Sequence, residues 1–448
     1  MPNIKISEQE AVSLATFDIT ENTVLIPILY ARSFETIEEY DSEGNVINTE
    51  RHYTEYTDGI VPATLYTSAS KFLSEMAGHV TFINDGTYDK SYIMAYELLR
   101  QGLNVVIKPI TYDNISLASD EHPEGNYIDL AAAYNVIEEE IAAGVLNEFK
   151  DRNIFNIKFI TTGGYANCGK TYEVDGVEMK TTAYTVIREL AADRGDAIAL
   201  IEFDNFYDSE DSLFDSIQSD YTVNAGDDLY AAAFFPWFYF STSIGRIQRT
   251  EEMPASFGYL LAYATSIKSN ANWFAAAGTA RGYIPGLIKP VFDVGESLMH
   301  VLQNDAESGN SLNIMVNPIY NAGTYGYRIW GNRVVNKTSA VLADRYMNFL
   351  NVRMLLCDIK KQIYHTAMRC TFEPNDDIVW INFKTLANSL LDRMKSGRGI
   401  SWYKWTKEVA EQKATIKATL TIQPIEAVES FDINIILTDD EATIEEVV

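Results

Sequence analysis

The sequence is poor in cysteine, histidine and positive charge. Its three cysteines, Cys168, Cys357 and Cys370, have no metal-ligand spacing and are too few for a disulfide framework. They read as small buried residues of a protein assembled in a reducing compartment. The five histidines (His52, His79, His122, His300, His365) include no pair four residues apart. That removes a helical zinc motif and leaves a catalytic triad dependent on distant convergence. Lysine and arginine number 35 against 63 acidic residues, a net charge of −28. A surface of that sign repels nucleic acid and anionic membrane, so direct contact with either is not expected. Long hydrophobic runs are also missing. The longest, Leu229 to Phe240, has about a dozen residues against the ~20 of a spanning helix, and Pro236 interrupts it. Met1-Pro2-Asn3-Ile4-Lys5 lacks the basic-then-apolar design of a signal peptide, and the chain reads as soluble. No catalytic residue, cofactor site or metal site is assigned.

What is present is core-forming capacity. Hydrophobic residues make up 47% of 448, enough for two or three domains with their own cores. Val24–Tyr30 reads as a buried strand. Phe34–Asp41 and Val46–Tyr56 flank the turn signal Ser42-Glu43-Gly44-Asn45, an acidic hairpin at the surface. Tyr88–Gln101 has helical periodicity and ends at Gly102, a natural C-cap; Asn104–Ile110 is a β-branched strand. The polar stretch Asp113–Asn126 comes next. Helix and strand then alternate: a helix from Ile128 to about Phe149, strand Ile157–Thr161, helix Thr182–Asp193 and strand Ala197–Phe203. An all-apolar run such as Ala197-Ile198-Ala199-Leu200-Ile201 predicts a parallel sheet covered on both faces.

Between Thr338 and Cys370 lies the longest helical pattern, and Phe383, Leu386, Leu390 and Met394 mark another helix ending at Gly397 and Gly399. Ile416–Ile422 and Phe431–Leu437 alternate with period two, as strands with one buried face do. Residues 438–448 hold five acids and no base, which predicts a solvated tip.

Gly164-Tyr165-Ala166-Asn167-Cys168-Gly169-Lys170-Thr171 matches the phosphate-loop pattern letter for letter. Asp204, ending an apolar strand, stands where a magnesium-holding acid would. The chemistry, however, needs a helix to begin at Lys170-Thr171 so that its first amides face the phosphates. Just downstream, Val174-Asp175-Gly176-Val177 carries an Asp-Gly that predicts a two-residue hairpin instead. A P-loop NTPase using Gly164–Thr171 therefore stays an alternative. The acid cluster Asp208-Ser209-Glu210-Asp211 with Asp215 lacks the glycine and ligand rhythm of a calcium loop and reads as a solvated turn. Arg281, Arg328 and Arg333, beside many aromatics, read as pins of the core or of a subunit contact.

Several short signatures occur in a fixed order over the last 200 residues. Pro254 opens a segment through Trp273 to Ala276-Ala277-Gly278-Thr279-Ala280-Arg281-Gly282. Asn313-Ile314-Met315-Val316-Asn317 and Gly326-Tyr327-Arg328-Ile329-Trp330-Gly331-Asn332-Arg333 lie beyond it. Then come a helix with Tyr346 to Arg353, Phe372-Glu373-Pro374-Asn375-Asp376 with Trp380, and Gly399-Ile400-Ser401-Trp402-Tyr403. In order and spacing these resemble the contractile tail sheath family of phages and related injection machines. The unit from Asp89-Lys90 through Gly102 to Val105-Val106-Ile107 looks like that family's N-terminal region. Val334 after Arg333 and Met354 after Arg353 depart from it, where Thr and a second Arg are common.

The resemblance implies a structural subunit, not an enzyme. It would polymerise as stacked hexameric rings around a tail tube and contract to drive the tube through a host envelope during genome delivery. It implies a multidomain α+β and α/β fold, a parallel α/β sheet domain plus a C-terminal α+β sheath core with strand-exchange arms. The divisions expected are an arm at 1–20, an N-terminal α/β region with the exposed hairpin at 21–125, an α/β sheath domain at 126–330, a C-terminal core at 331–437 and the acidic tip at 438–448. Partners would be its own copies, a tail tube protein, and baseplate and tail terminator proteins, in a virion tail built in the host cytoplasm. The sheath of a phage-derived bacteriocin or secretion-type machine is the alternative within the same resemblance.

Two sets of residues are singled out. Ile4, Ile6, Phe431, Ile433, Ile435 and Leu437 are candidates for strand exchange between subunits. The window Leu391–Lys407 carries five basic residues and one acid, Asp392, in an otherwise acidic chain. A solvated helix end would account for it; the functional alternative makes Arg393, Lys395, Arg398, Lys404 and Lys407 contacts to an acidic tube wall.

Overall fold

The computed structural model describes residues 5–6, 10–11, 22–43, 46–56, 59–79, 82–83, 87–112, 116, 127–165, 171–174, 177–180, 183–203, 227–244, 247–303, 314–335, 346–409, 415–425 and 427. At its centre is an eight-stranded sheet. Its strands, in chain order, are β1 (Thr23–Tyr30), β2 (Thr64–Tyr66), β3 (Asn104–Thr111), β4 (Phe159–Ile160), β5 (Ile198–Glu202), β6 (Ala231–Phe235), β7 (Val316–Asn321) and β8 (Tyr327–Ile329). In space they run β8-β7-β6-β5-β4-β1-β3-β2. The six inner strands are parallel, and β8 and β2 close the edges antiparallel.

The apolar runs dictate this arrangement. Every residue of β1, β5 and β6 is buried, which requires cover on both faces of the sheet. Helices α1 (Lys90–Gln101) and α4 (Ala255–Ile267) pack against each other, as do α2 (Leu130–Ala142) and α3 (Ala183–Arg194). Asp89 caps α1, accepting from the Ser91 amide at 2.9 Å, and Gly102 ends it in the left-handed conformation at φ 93°. This is the parallel α/β sheet expected from the alternation. It draws strands from both 21–125 and 126–330.

Some elements differ from expectation. The helix expected to reach Phe149 stops at Ala142; Gly144, at φ 91°, breaks it before a short 3-10 turn at Asn147–Lys150. The apolar run Leu229–Phe240 is not one element but two strands, β6 and Phe238–Ile244, parted at Pro236. The acidic hairpin forms as Phe34–Tyr40 paired with Val46–Tyr53, and it is exposed along nearly all of its first strand.

The C-terminal region has its own small core. Helices α5 (Leu350–Arg369) and α6 (Asp377–Ser396) pack as an antiparallel pair, beside a hairpin of β9 (Ile400–Glu408) and β10 (Lys417–Pro424). Leu355, Ile359, Ile363, Leu391, Met394 and Ile400 close around Trp273, which reaches in from the sheet domain. The Trp273 indole donates to the Gly397 carbonyl at 2.9 Å, and a Cβ on Gly397 would lie 2.5 Å from its ring. Strand β9 occupies residues that the sequence marks as a signature and a basic window but not as a strand. Trp402, Tyr403 and Trp405 mask its alternation.

Candidate functional site

The phosphate-loop pattern begins at the carboxyl end of β4, beside β1. In a doubly wound sheet the ligand crevice opens where strand order reverses, between these two strands. Here that position is filled from within. Tyr165 is fully buried, accepts the Lys90 amide at 3.0 Å, and meets Tyr134 edge to face at 5.6 Å. Gly163, at φ 75°, lies so close to the chain that a Cβ would be 2.8 Å from the Pro27 carbonyl oxygen. The amino terminus of α1, which could otherwise hold an anion, is taken by Asp89. Ala166 to Lys170 and Asp204 lie outside the described residues. Beyond them, Thr171–Val174 pairs antiparallel with Val177–Lys180, Val174 opposite Val177. The hairpin expected from Asp175-Gly176 thus stands where a nucleotide loop would start its helix.

Two carboxyls share this end of the sheet. Glu202, buried at the tip of β5, accepts from the Thr162 hydroxyl at 3.1 Å and from the Ser256 hydroxyl of α4. Burial pushes its pKa up to about 7 against those hydrogen bonds. Burial likewise raises Asp89 to about 6. Glu202 ties the loop after β4 to α4, and Asp89 holds the first turn of α1.

The signatures around Asn317 and Gly331 are internal fasteners as well. Asn317 of β7 is fully buried. It accepts the Arg333 amide at 2.8 Å and donates to the carbonyls of Arg333 and Ala233. Gly331 must lack a side chain, since a Cβ would sit 2.6 Å from the Asn317 Oδ1. Arg281 lies over Phe274, Arg328 over Tyr283 and Arg333 over Phe349. His79 stacks on Tyr30 at 4.4 Å. Among the described residues no three His, Cys, Asp or Glu side chains come together to hold a metal, and no helix is long and apolar enough to cross a membrane. His122 and the acid cluster Asp208–Asp215 lie outside the described residues.

The basic window divides between two elements. Arg393 and Lys395 are exposed on the last turns of α6. Two residues apart, they point about 200° from each other around the helix. Arg398 is exposed in the turn after α6, and Lys404 on β9. Lys407, also on β9, pairs with Asp377 at 3.1 Å. Asp392, the window's acid, is exposed among them and accepts from the Tyr403 hydroxyl at 2.7 Å.

The hairpin that carries Lys404 has one covered face. Tyr403 and Trp405 pack toward α6, the Trp405 indole donating to Asn388 at 3.0 Å. Lys404 and Thr406 stand opposite Thr421 and Thr419 on the outer face. Among the described residues neither outer edge of β9 or β10 has a further strand. Of the strand-exchange candidates, Ile6 lies in a two-residue strand, Lys5–Ile6, that pairs with Glu10–Ala11. Ile4, Phe431, Ile433, Ile435 and Leu437 lie outside the described residues.

Known structures place this arrangement. The chain superposes over 98% of its length on 98% of a chain from the contracted sheath complex of the PVC extracellular contractile injection system, with TM-score 0.59 and 14% identity. It matches a chain in the contracted baseplate of the anti-feeding prophage with TM-score 0.57 and 15% identity, and one in its six-fold symmetrised baseplate with 0.54 and 12%; each match covers 98% of this chain and 99% of the other. The fold is that of contractile injection sheath proteins. It spans the whole chain, so the sheet domain and the C-terminal core belong to one sheath-type architecture. No family model matches the sequence, and a comparison with curated proteins found no match. At this identity the likeness is one of fold.

Proposed function

We propose that the chain is a structural subunit of a contractile sheath, polymerising as stacked hexameric rings around a tube and contracting to drive the tube through a host envelope. The observation that carries this is the end-to-end superposition on sheath-type chains. In this reading the free energy of contraction is stored in subunit interfaces at assembly and released on repacking, with no nucleotide and no catalysis. The Thr171–Lys180 hairpin and the buried Tyr165 support that view against a P-loop NTPase.

The arms, residues 1–20 and the strand-like segment Phe431–Leu437, add strands to neighbouring copies. The open edges of β9 and β10 are their natural acceptors. Such tethers hold subunits together while their bodies rotate. Arg393, Lys395, Arg398 and Lys404 are available to a tube wall of acidic character, whereas Lys407 is already engaged by Asp377. Baseplate and terminator proteins would meet the ends of the polymer. The divisions at 20, 125, 330 and 437 remain our assignment of arm, N-terminal region, sheath domain and core.

Two settings are open to such a subunit: a phage virion tail, or a phage-derived bacteriocin or secretion-type machine. The matched structures come from an extracellular injection system and an anti-feeding prophage, which favours the second. Negative-stain microscopy of the purified protein tests the reading. Rings, tubes or polysheaths are expected; discrete particles at every concentration and salt would refute it.

A further inference from the structure

Helix α6 is flanked by two residues in an unusual backbone state. Phe372, in the turn before it, has φ 70° and is 86% exposed. Arg398, in the turn after it, has φ 61° and is also exposed. The left-handed region is unfavourable for residues with a Cβ and is rare for bulky ones. At Arg398 the turn is a helix cap that normally takes glycine: the Gly399 amide donates to the Met394 carbonyl at 2.8 Å. Glycines do flank it, but Gly397 and Gly399 are held there by the Trp273 ring. Among the described residues the Arg398 guanidinium makes no hydrogen bond or ion pair, and the Phe372 ring packs on no other ring.

The surroundings of these residues are complementary. Next to Phe372 in sequence is the exposed acid Glu373, and the first turns of α6 expose Ile378 (65%) and Ile381 (59%). Arg393 and Lys395, also exposed, precede Arg398 by five and three positions. The 20-residue helix between them spans about 30 Å, so the two ends of one chain cannot meet. A planar guanidinium fits an aromatic face with a carboxylate alongside.

We propose that the α6 unit associates head to tail with a second copy of the chain, the Arg398 guanidinium of one copy lying on the Phe372 ring of the next with Glu373 beside it. The contact is heterologous, so it leaves one end of each kind free and propagates into a ring or helix. It rests on the reading of the chain as a self-assembling subunit. Within the basic window it sets Arg398 apart from Arg393, Lys395 and Lys404.

The strained backbone provides a test that separates contact from folding. Arg398→Gly removes the left-handed penalty, so it should raise the melting temperature of the dissociated subunit. It should also weaken self-association in sedimentation velocity by about tenfold. Phe372→Ala should weaken association to the same degree, and Phe372→Tyr should retain it. Because both substitutions remove one contact, the double variant should be no weaker than either single one. Parent-like assembly of both single variants or additive losses in the double variant would overturn the contact, and a lower melting temperature for Arg398→Gly would overturn the strain at that position. Failure of the unmodified chain to self-associate would instead overturn the sheath reading, and the contact with it.

Discussion

The Lys158 ammonium lies 2.8 Å from the Asp358 carboxylate, across 200 positions of sequence, with the two side chains 2% and 5% exposed. Lys158 immediately precedes β4, and Asp358 projects from α5, so this pair fixes the C-terminal helices to the amino end of the parallel sheet. Asn272 donates to the same carboxylate at 2.9 Å. Burial works against the charge on Lys158, but Asp358 and Tyr263 together outweigh it and keep the ammonium protonated well beyond its ordinary range. Around it, Lys361 of α5 donates to the Ile157 carbonyl at 2.7 Å, and Arg194 grips Asp196 at 2.9 Å just before β5.

A buried pair of this kind sets registry more than stability, and breaking it leaves an uncompensated charge. Asp358→Ala should therefore destabilise the protein by about 3–5 kcal/mol in urea unfolding. Lys158→Met with Asp358→Leu should recover most of that loss. If the single substitution changes the unfolding midpoint no more than a surface mutation does, the pair does not join the two regions.

This joint marks the limit of what the sequence made legible. Apolar runs such as Thr23–Tyr30 and Ile198–Glu202 announced the parallel sheet, and the pattern over Thr338–Cys370 announced a long helix, because burial on a regular element leaves a period. Among the described residues that helix begins only at Leu350, after a 3-10 turn at Tyr346–Asn348. Asp-Gly at 175–176 was enough to place the hairpin that displaces a nucleotide loop. Lys158 and Asp358 carry no such period; nothing local distinguishes a buried lysine from an exposed one. Strand β9 was missed for a related reason, since its outer residue Trp402 is as aromatic as its inner Tyr403 and Trp405.

Glu202 gives the protein a stability that falls as pH rises. Its folded pKa, about 7, stands above the ordinary carboxyl value, so its contribution is complete below about pH 4.5 and is lost as pH rises through 7. Asp89 acts in the same sense up to about pH 6. Asp196, whose pKa is lowered because Arg194, Lys361 and Arg152 together outweigh its burial, acts oppositely, but only in the acid range below its ordinary value. Between pH 5 and 8 the melting temperature should fall, and Glu202→Gln should flatten that slope by an amount on the order of 3 kcal/mol. An unchanged slope in Glu202→Gln would assign the pH dependence elsewhere.

The letter-perfect phosphate-loop pattern should be chemically silent. Thr171 starts a strand, and Tyr165 and Asp89 fill the space a phosphate would need. Calorimetric titration with MgATP should give no heat of binding, and Lys170→Ala should assemble like the parent. Micromolar ATP affinity that disappears in Lys170→Ala would restore the nucleotide reading.

Removing residues 1–20 separates arm from body. The core clusters begin at Val24, and none of the described core lies before it. The truncated chain should stay soluble and melt cooperatively but fail to form long polymers, because each copy would lack a strand to add to its neighbour. Normal tubes from the truncated chain would contradict the arm assignment, and loss of folding would move those residues into the core.

The tube contact makes the sharpest demand on the basic window, because a sheath must hold its tube and then release it. Exposed ion pairs suit that duty, each being worth only about 0–1 kcal/mol and screened by salt. Lys395 and Lys404 are exposed on neighbouring elements, α6 and β9, and neither makes an ion pair among the described residues. Reversing both to Glu should weaken co-assembly with the cognate tube at low salt, while tube-free sheath polymers still form. In the parent, raising salt toward 1 M should weaken co-assembly in the same way, and the variant should have lost most of that salt dependence. If the reversed variant binds its tube as the parent does at low salt, these lysines face solvent and the tube is held by another surface.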